Sequence, residues 1–297
     1  MMMPNEPAFP KRRLSRRDFL KLVTRFALGA AAVEAGSLYA ALVEPSWIEV
    51  TQVPLKLRRL PAAFSGFRLV QISDLHFGSW LTLELLQPTL ELLIAQNPDA
   101  IAITGDFVEG DAGGVPAGRE LDRVRDVFRS LAQRFPTFAI MGNHDHWVDV
   151  AMVRRFLAET RISELRNDVF AFEKNGKRFY LCGVDDIWEK KYDLQAATSK
   201  LSMQDCAVLM AHEPDFADQA AATGQFDLQI SGHSHGGQVV IPFFAPPLLP
   251  YLGQKYHTGL YRVGEMFQYT NRGLGMIKPA VRFNCRPEIT VFTLESV

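Results

Sequence analysis

Five short apolar runs in this chain end in the same way. "FRLVQIS" runs into Asp74-Leu75-His76, "AIAIT" into Gly105-Asp106, "TFAIM" into Gly142-Asn143-His144-Asp145-His146, "CAVLMA" into His212, and "DLQIS" into Gly232-His233-Ser234-His235. Runs of this length bounded by such residues read as buried strands. In open α/β sheets, ligands bind just beyond the carboxyl ends of the strands. Acids and imidazoles left there without partners would each cost on the order of a few kcal/mol. Either a metal or a hydrogen-bond network must therefore offset them. Of the chain's 7 histidines, only His257 lies outside these strand ends. Each piece alone is weak, since Asp-x-His occurs in incidental loops and Asn-His-Asp suits a capped turn. The ordered series carries the information.

Helical patterns separate the early runs. "LTLELLQPTLELLIAQ" is one, with Pro88 expected to open its second part. "RELDRVRDVFRSLAQRF" places Leu121, Val124, Val127, Phe128 and Leu131 at helical spacing, and "AMVRRFLAET" follows the third strand. Upstream, "WIEVTQVPLKL" alternates like a half-exposed strand. Strand–helix alternation predicts parallel pairing with helices outside. The hairpin "NDVFAFEKNGKRFYLCGVDD", turning at Asn175-Gly176, predicts an antiparallel portion, as do the Gly- and Pro-rich strands from "GQVVIP" to "ITVFTL". With 297 residues and 47% hydrophobic content, one compact α/β domain over residues 45–297 is the simplest arrangement. The net charge of -1 gives no sign of a nucleic-acid partner, and none is expected. The three cysteines form no CxxC pair, which argues against a disulfide framework and a structural zinc; Cys182 and Cys206 read as small core residues.

The series "DLH", "GD", "GNHD", an isolated strand-end histidine and "GHSH" resembles the signature of the calcineurin-like metallophosphoesterase superfamily. The similarity runs from Asp74 to His235 and continues through "GGQVVIP" and "GLGMIKPAVRFNCRPEITVFTL". The resemblance implies an α/β (α+β) fold, a two-sheet β-sandwich flanked by helices, with two divalent metal ions at the strand ends. By matching position, Asp74, His76 and His235 would ligate one metal, Asn143, His212 and His233 the other, and Asp106 would bridge them. His233 and His235 would thus serve one metal each. Mixed carboxylate, amide and imidazole donors suit Mn, Fe or Zn, and one shared carboxylate can hold two cations about 3.5–4 Å apart. The resemblance also places His144 beside the substrate, oriented through an imidazole N–H bond to Asp145. His146, next to Trp147, is expected to be an exposed loop residue. Asp185 and Asp186 are expected to line the substrate pocket or to bond a ligand histidine.

The implied activity is hydrolysis of a phosphodiester or pyrophosphate, with a metal-activated hydroxide as nucleophile and His144 assisting the leaving oxygen. A phosphomonoesterase or protein phosphatase is the rival enzyme class; protein phosphatases of the family usually add arginines, and none flanks "GNHD" or "GHSH". A non-catalytic scaffold on the same fold should have lost His144 or several ligands, and all are present.

The N-terminus reads "KRRLSRRDFLKLVTRFALGAAAVEAGSLYAALVEPS". A basic segment precedes an apolar one, and Ser15–Lys21 resembles the twin-arginine export signal of the family's bacterial branch. Arg25 and Glu34 interrupt the stretch Leu22–Val43, making it a poor ordinary membrane span. No small-x-small cleavage site is clear. Residues 1–44 are therefore expected to be an export signal or a retained anchor. Expected partners are the twin-arginine export machinery, the membrane and a lipid- or wall-linked phosphate ester, at the periplasm, cell wall or outer face of the cytoplasmic membrane. "IPFFAPPLLPYLG" reads as a greasy rim to the site or as a buried loop closing the core.

Overall fold

The computed structural model describes residues 15–109 and 117–297. Lys11–Arg13 of the basic segment lie outside them. Helix α1 (Arg16–Leu38) starts at Ser15, whose hydroxyl accepts from the Asp18 N–H. It stands exposed along its length, with Phe19, Leu20, Phe26, Leu28 and Val33 open. By length and composition the helical stretch Arg16–Ser46 is apolar enough to cross a membrane. Its charged residues are diluted by the Ala, Leu and Val around them. Its far end is docked: Ala40 and Glu44 are buried, and Ala40 O accepts from Arg282 N at 2.9 Å.

Two six-stranded sheets follow. The first holds β1 (Glu49–Leu57), β2 (Phe67–Ile72), β3 (Ala100–Thr104), β4 (Thr137–Ile140) and the short β5 (Ser163–Glu164). The second holds β6 (Asp168–Lys174), β7 (Lys177–Gly183), β8 (Ala207–Met210), β9 (Leu228–Ser231), β10 (Gly259–Val263) and β11 (Met266–Thr270). The last strand, β12 (Glu288–Ser296), returns to the first sheet between β1 and β2. Strands β2 to β5 pair in parallel, as the strand–helix alternation predicts. In the second sheet the antiparallel pairing is confined to the two edge hairpins; β7, β8, β9 and β11 are parallel to one another. The β6–β7 turn carries Asn175 and Gly176 at φ 53° and 69°, the left-handed pair a type I′ turn requires.

Leu69, Ala102, Phe138 and Ile140 of the first sheet meet Phe179, Leu181, Met210 and Ile230 of the second, so the sheets form a sandwich. Helices α2 (Leu83–Ile94) and α3 (Ala117–Arg134) cover the outer face of the first sheet. The short α4 (Asn143–Val148) leads into α5 (Val150–Thr160), which packs there as well. The second sheet is covered by loops, α6 (Leu194–Thr198) and α7 (Ala217–Ala222). Pro88 does not open a second helix; it sits inside α2. The buried contacts of Leu86, Leu90 and Leu93 outweigh the one hydrogen bond that proline cannot donate. Because β2, β3, β4, β8 and β9 run in parallel within their sheets, their carboxyl ends gather at one rim of the sandwich.

Candidate metal centre

All seven residues expected to hold metal converge at that rim. Asp74, His76 and His235 form one compact group, and Asp106, His212 and His233 another. Asn143, the first residue of α4, is buried, and its Oδ1 has no hydrogen-bond partner among the described residues. Asp74 ties the sheets together: both its oxygens accept from the His233 N–H, at 3.0 and 3.1 Å. Asp106 stands between the groups. Its Oδ1 accepts from the His144 backbone N–H at 3.0 Å, and its Oδ2 lies 3.1 Å from His212 Nε2 and 3.6 Å from His76 Nε2.

The imidazoles are fixed by their other nitrogens. His212 Nδ1 meets Thr104 O at 2.7 Å and His233 Nε2 meets Tyr251 O at 2.8 Å. A carbonyl can only accept, so these nitrogens carry the protons. His233 Nδ1 keeps a free lone pair, and His212 Nε2 faces the Asp106 carboxylate. His76 Nδ1 lies 2.9 Å from Glu109 Oε2, which turns its Nε2 toward His235 Nε2 at 3.0 Å. At that distance the two nitrogens share either one proton carried by one of them or a cation that takes a lone pair from each. Two nitrogens each about 2.1 Å from one ion would stand roughly 3 Å apart. The buried orphan Asn143 Oδ1 points to the same chemistry. The donor set fits divalent metal.

The backbone around these groups is strained. Asp74, His76, Asp106, His233 and His235 have φ of 51°, 47°, 56°, 71° and 51°, in a region where non-glycine residues are uncommon. The flanking glycines leave no room for a side chain. A Cβ on Gly142 would lie 2.2 Å from Asp106 Oδ1, and one on Gly232 would lie 2.0 Å from Ser73 Oγ.

The field is set by burial against charge. Burial works against an ionised Asp106, yet His212, His144 and His76 together hold it well below the ordinary carboxylate range. Burial likewise disfavours a charged His212, and Asp106 overrides it, raising that imidazole well above its usual value. His233 is pushed down to about 4 by burial and by His212.

Asp145 is a correction. It does not orient the His144 ring; its carboxylate accepts from the backbone N–H groups of Gly142 (3.0 Å), Asp106 (3.0 Å) and Phe107 (2.8 Å). It is the third residue of α4 and closes a capping box back onto Gly142. Burial, followed by the charge of Asp106, raises it to about 7. Asp145 thus positions the Asp106 loop. One carboxylate near His144 is Glu109, whose Oε1 lies 3.9 Å from His144 Nδ1.

His146 is also corrected. Rather than standing exposed, it is half-buried with Nε2 at 2.8 Å from Asp185 Oδ1. Asp185 touches no ligand histidine; besides His146 it binds Arg154 and Arg166. Asp186 lies against Glu213, and burial together with that neighbour raises its carboxyl to about 9.

Three functional groups escaped the sequence reading. Glu109 is the acid of "GDFVEG", brought over His76 by the Phe77–Val108 bridge; an acid three residues past Asp106 was its only signal. Glu213 directly follows His212 and accepts from Trp188 N at 2.9 Å. Arg282 is fully buried and donates to the carbonyls of Arg272, Gly273, Gly275 and Cys285, bracing the loop behind Asp74; no local pattern marks it.

Two facing sheets with carboxylates, imidazoles and an amide gathered at one rim define a metallophosphoesterase. A sequence profile of the calcineurin-like phosphoesterase family matches residues 67–237, and the chain belongs to that family. It is 34% identical to the uncharacterized metallophosphoesterase YkuE of Bacillus subtilis (strain 168), over 96% of this chain and 99% of that protein. It is 31% identical to the phosphodiesterase YaeI of Escherichia coli (strain K12), over 95% and 99%. A transmembrane protein with metallophosphoesterase domain from Danio rerio is 29% identical over 83% of this chain and 57% of its own length. The family works with divalent metals, and the buried donors described above suit them.

Proposed function

We propose that the chain is a dinuclear phosphodiesterase, acting on a phosphodiester or pyrophosphate at the cell envelope. The observation that carries the dinuclear reading is the placement of Asp106 between two ligand groups, one oxygen facing both. Asp74, His76 and His235 would hold one ion, Asn143, His212 and His233 the other, with Asp106 shared. Mn, Fe and Zn are the candidates. Two bound ions would neutralise charge on the phosphoryl oxygens and make a water nucleophilic near neutral pH.

The chain's own residues do the rest. His144 keeps an open edge at the rim, with 16% of its side chain exposed, and burial lowers its proton affinity while Asp106 pulls the other way. Burial prevails, so the imidazole lies below its ordinary value, and the negative charge of a bound phosphate would be needed to favour the protonated form that donates to a leaving oxygen. The backbone N–H of His144 anchors Asp106, and Asp145 holds that loop in place. A relative named phosphodiesterase supports the diester reading. The measurement is hydrolysis of bis-p-nitrophenyl phosphate against p-nitrophenyl phosphate by the Mn-, Fe- and Zn-loaded protein. A marked preference for the monoester would replace the diesterase reading with that of a phosphomonoesterase.

We place the enzyme at the envelope because Ser15–Lys21 resembles a twin-arginine signal and α1 has the length and composition of a membrane span. Residues 1–44 would then be an export segment kept as an anchor, and 45–297 the catalytic domain. Arginine's forked donors are not copied by lysine, so Arg16→Lys with Arg17→Lys should leave active enzyme in the cytoplasm on fractionation. Normal delivery of that variant to the envelope would remove the twin-arginine reading.

A further inference from the structure

Immediately beyond His235 the surface becomes apolar. No Asp, Glu, Lys or Arg occurs from Leu228 to Gln254. Within that stretch Phe243 is 105% exposed, Phe244 71% and Leu248 70%. Large apolar side chains standing together in water mark an interaction surface. The backbone holds them out under strain. Phe244 N donates to Ile241 O at 3.0 Å, closing a turn with Pro242 second and Phe243 third at φ 72°. That third position is one a type II turn normally fills with glycine. Beneath the loop lies a cavity of about 240 Å³, lined by Leu248, Leu249, Ile277 and Lys278 and bordered by His235. Lys278 is the one charged side chain in that lining apart from the histidine, and it is a cation.

What covers this face follows from where α1 ends. Ala40 O accepts from Arg282 N, and the next residue, Phe283, pairs with the root of the loop: its N–H donates to Gln238 O at 2.9 Å and its carbonyl accepts from Val240 N at 2.8 Å. The end of α1 and the root of the apolar loop are thus two chain spacings apart, roughly 10 Å. A bilayer entered by α1 lies within reach of the loop. An aromatic row then crosses the mouth of the rim: Tyr251 to Trp188 (5.4 Å between ring centres), Trp188 to Trp147 (5.3 Å), Trp147 to His144 (4.8 Å). Tryptophan and tyrosine are the side chains that settle at the bilayer–water boundary. A protruding Phe243 would need a matching pocket in a protein partner, whereas a bilayer accepts it without one.

We propose that the 241–251 loop inserts into the membrane that α1 enters. The cavity beneath it receives the hydrocarbon chain of a bilayer lipid carrying a phosphate ester, and so brings that phosphate to the metal-ligand rim. The proposal rests on the phosphoesterase reading and names its substrate class.

The test uses the full-length chain reconstituted in phosphatidylethanolamine–phosphatidylglycerol vesicles. The native Cys182, Cys206 and Cys285 are all buried, so a fluorophore on Phe243→Cys reports its own position. It should resist aqueous iodide and be quenched by doxyl-labelled lipid. A label on Lys177→Cys, at the tip of the β6–β7 hairpin, should show the reverse. Equal iodide access at both sites overturns the insertion. So does protection of the Phe243→Cys label in lipid-free protein, which would mean a protein contact instead. In the second arm, kcat/KM is compared for the methyl and dodecyl p-nitrophenyl phosphodiesters, the latter below its micelle concentration. Each methylene taken up should raise kcat/KM by up to about fourfold, giving at least a tenfold preference for dodecyl. Leu248→Asp should bring that ratio toward one, with circular dichroism confirming the fold. Equal rates on both esters in the wild type overturn the cavity assignment while leaving the diesterase reading intact. Hydrolysis of neither ester overturns both.

Discussion

Only a short turn separates His235 from Ile241, yet the rim and the loop beyond it are held together by opposite means. At the rim, Asp74, His76, Asp106, His233 and His235 sit in left-handed backbone, and every one is buried. Their strain is over-determined from inside: Asp74 grips the His233 N–H, Asp145 accepts from four loop amides, and Gly142 and Gly232 admit no Cβ. In the loop, Phe243 is left-handed too, but its side chain is fully exposed, and among the described residues the turn is closed only by the Phe244 N to Ile241 O hydrogen bond. Strain persists where the surroundings impose it or where a function uses it. At the rim the protein imposes the geometry; in the loop the use lies outside the protein. Substitutions at the two places should therefore behave in opposite ways.

The largest effect is expected at Asp106. Asp106→Ala removes the one carboxylate facing both ligand groups and leaves the His212 and His76 nitrogens facing each other's field. Metal measured by mass spectrometry should fall from about two ions per chain to near none, with loss of diesterase activity. Full metal content in the variant would break the bridging assignment. Next comes His144→Ala. Metal content and Tm should stay near wild type while kcat drops by on the order of 10²–10⁴. The drop should be smaller for p-nitrophenolate than for a poorer leaving group. A rate unchanged on the poor leaving group would remove His144 from the reaction. Glu109→Gln should weaken metal affinity by about 10–100-fold, the usual range when the partner of a ligand imidazole is lost. Chelator titration reads it; affinity equal to wild type would show that Glu109 does not set the His76 ring.

Much of the rim was legible because its signals are local. Each ligand follows an apolar run by one to four residues, and parallel strands must end on one side, so five strand ends meet without any tertiary information. What was misread depends on where a side chain turns. Asp145 sits beside His144 in the chain, but as the third residue of α4 its carboxylate folds back onto Gly142. Glu109 and Arg282 act across loops, and no spacing connects them to His76 or Asp74. The stretch "IPFFAPPLLPYLG" left burial and exposure equally open, since an apolar composition describes both. The 3D placement of Phe243 and Leu248 in solvent decides it.

A smaller effect distinguishes a structural acid from the catalytic ones. Burial and Glu213 raise Asp186 to about 9, far above its ordinary value of 3.8. The folded protein therefore keeps a proton that the unfolded chain releases, and this group's contribution to stability falls as pH rises from about 4 toward 9. Asp186→Asn keeps the shape and a donor toward Glu213 while removing the titration. The Tm difference, variant minus wild type, should grow more positive from pH 6 to pH 9 in calorimetry. A pH-independent difference would mean that Asp186 is ionised in the fold.

The smallest effect gives the cleanest separation of rim from loop. Phe243→Gly in lipid-free detergent solution removes a side chain that touches nothing inside the protein. It also places glycine where a type II turn prefers it. Loss of backbone strain outweighs the added freedom of the unfolded glycine only modestly, so Tm should rise by about 1–3 °C. The same substitution at His76, whose φ is nearly as positive, should abolish metal binding, because there the side chain is what the strain serves. In vesicles the ordering at Phe243 reverses: with its ring gone, the loop should lose protection from iodide at a neighbouring Phe244→Cys label. A fall in Tm for Phe243→Gly without lipid would show that the ring packs against the protein in solution. The loop would then be a closed flap, held like the rim from inside.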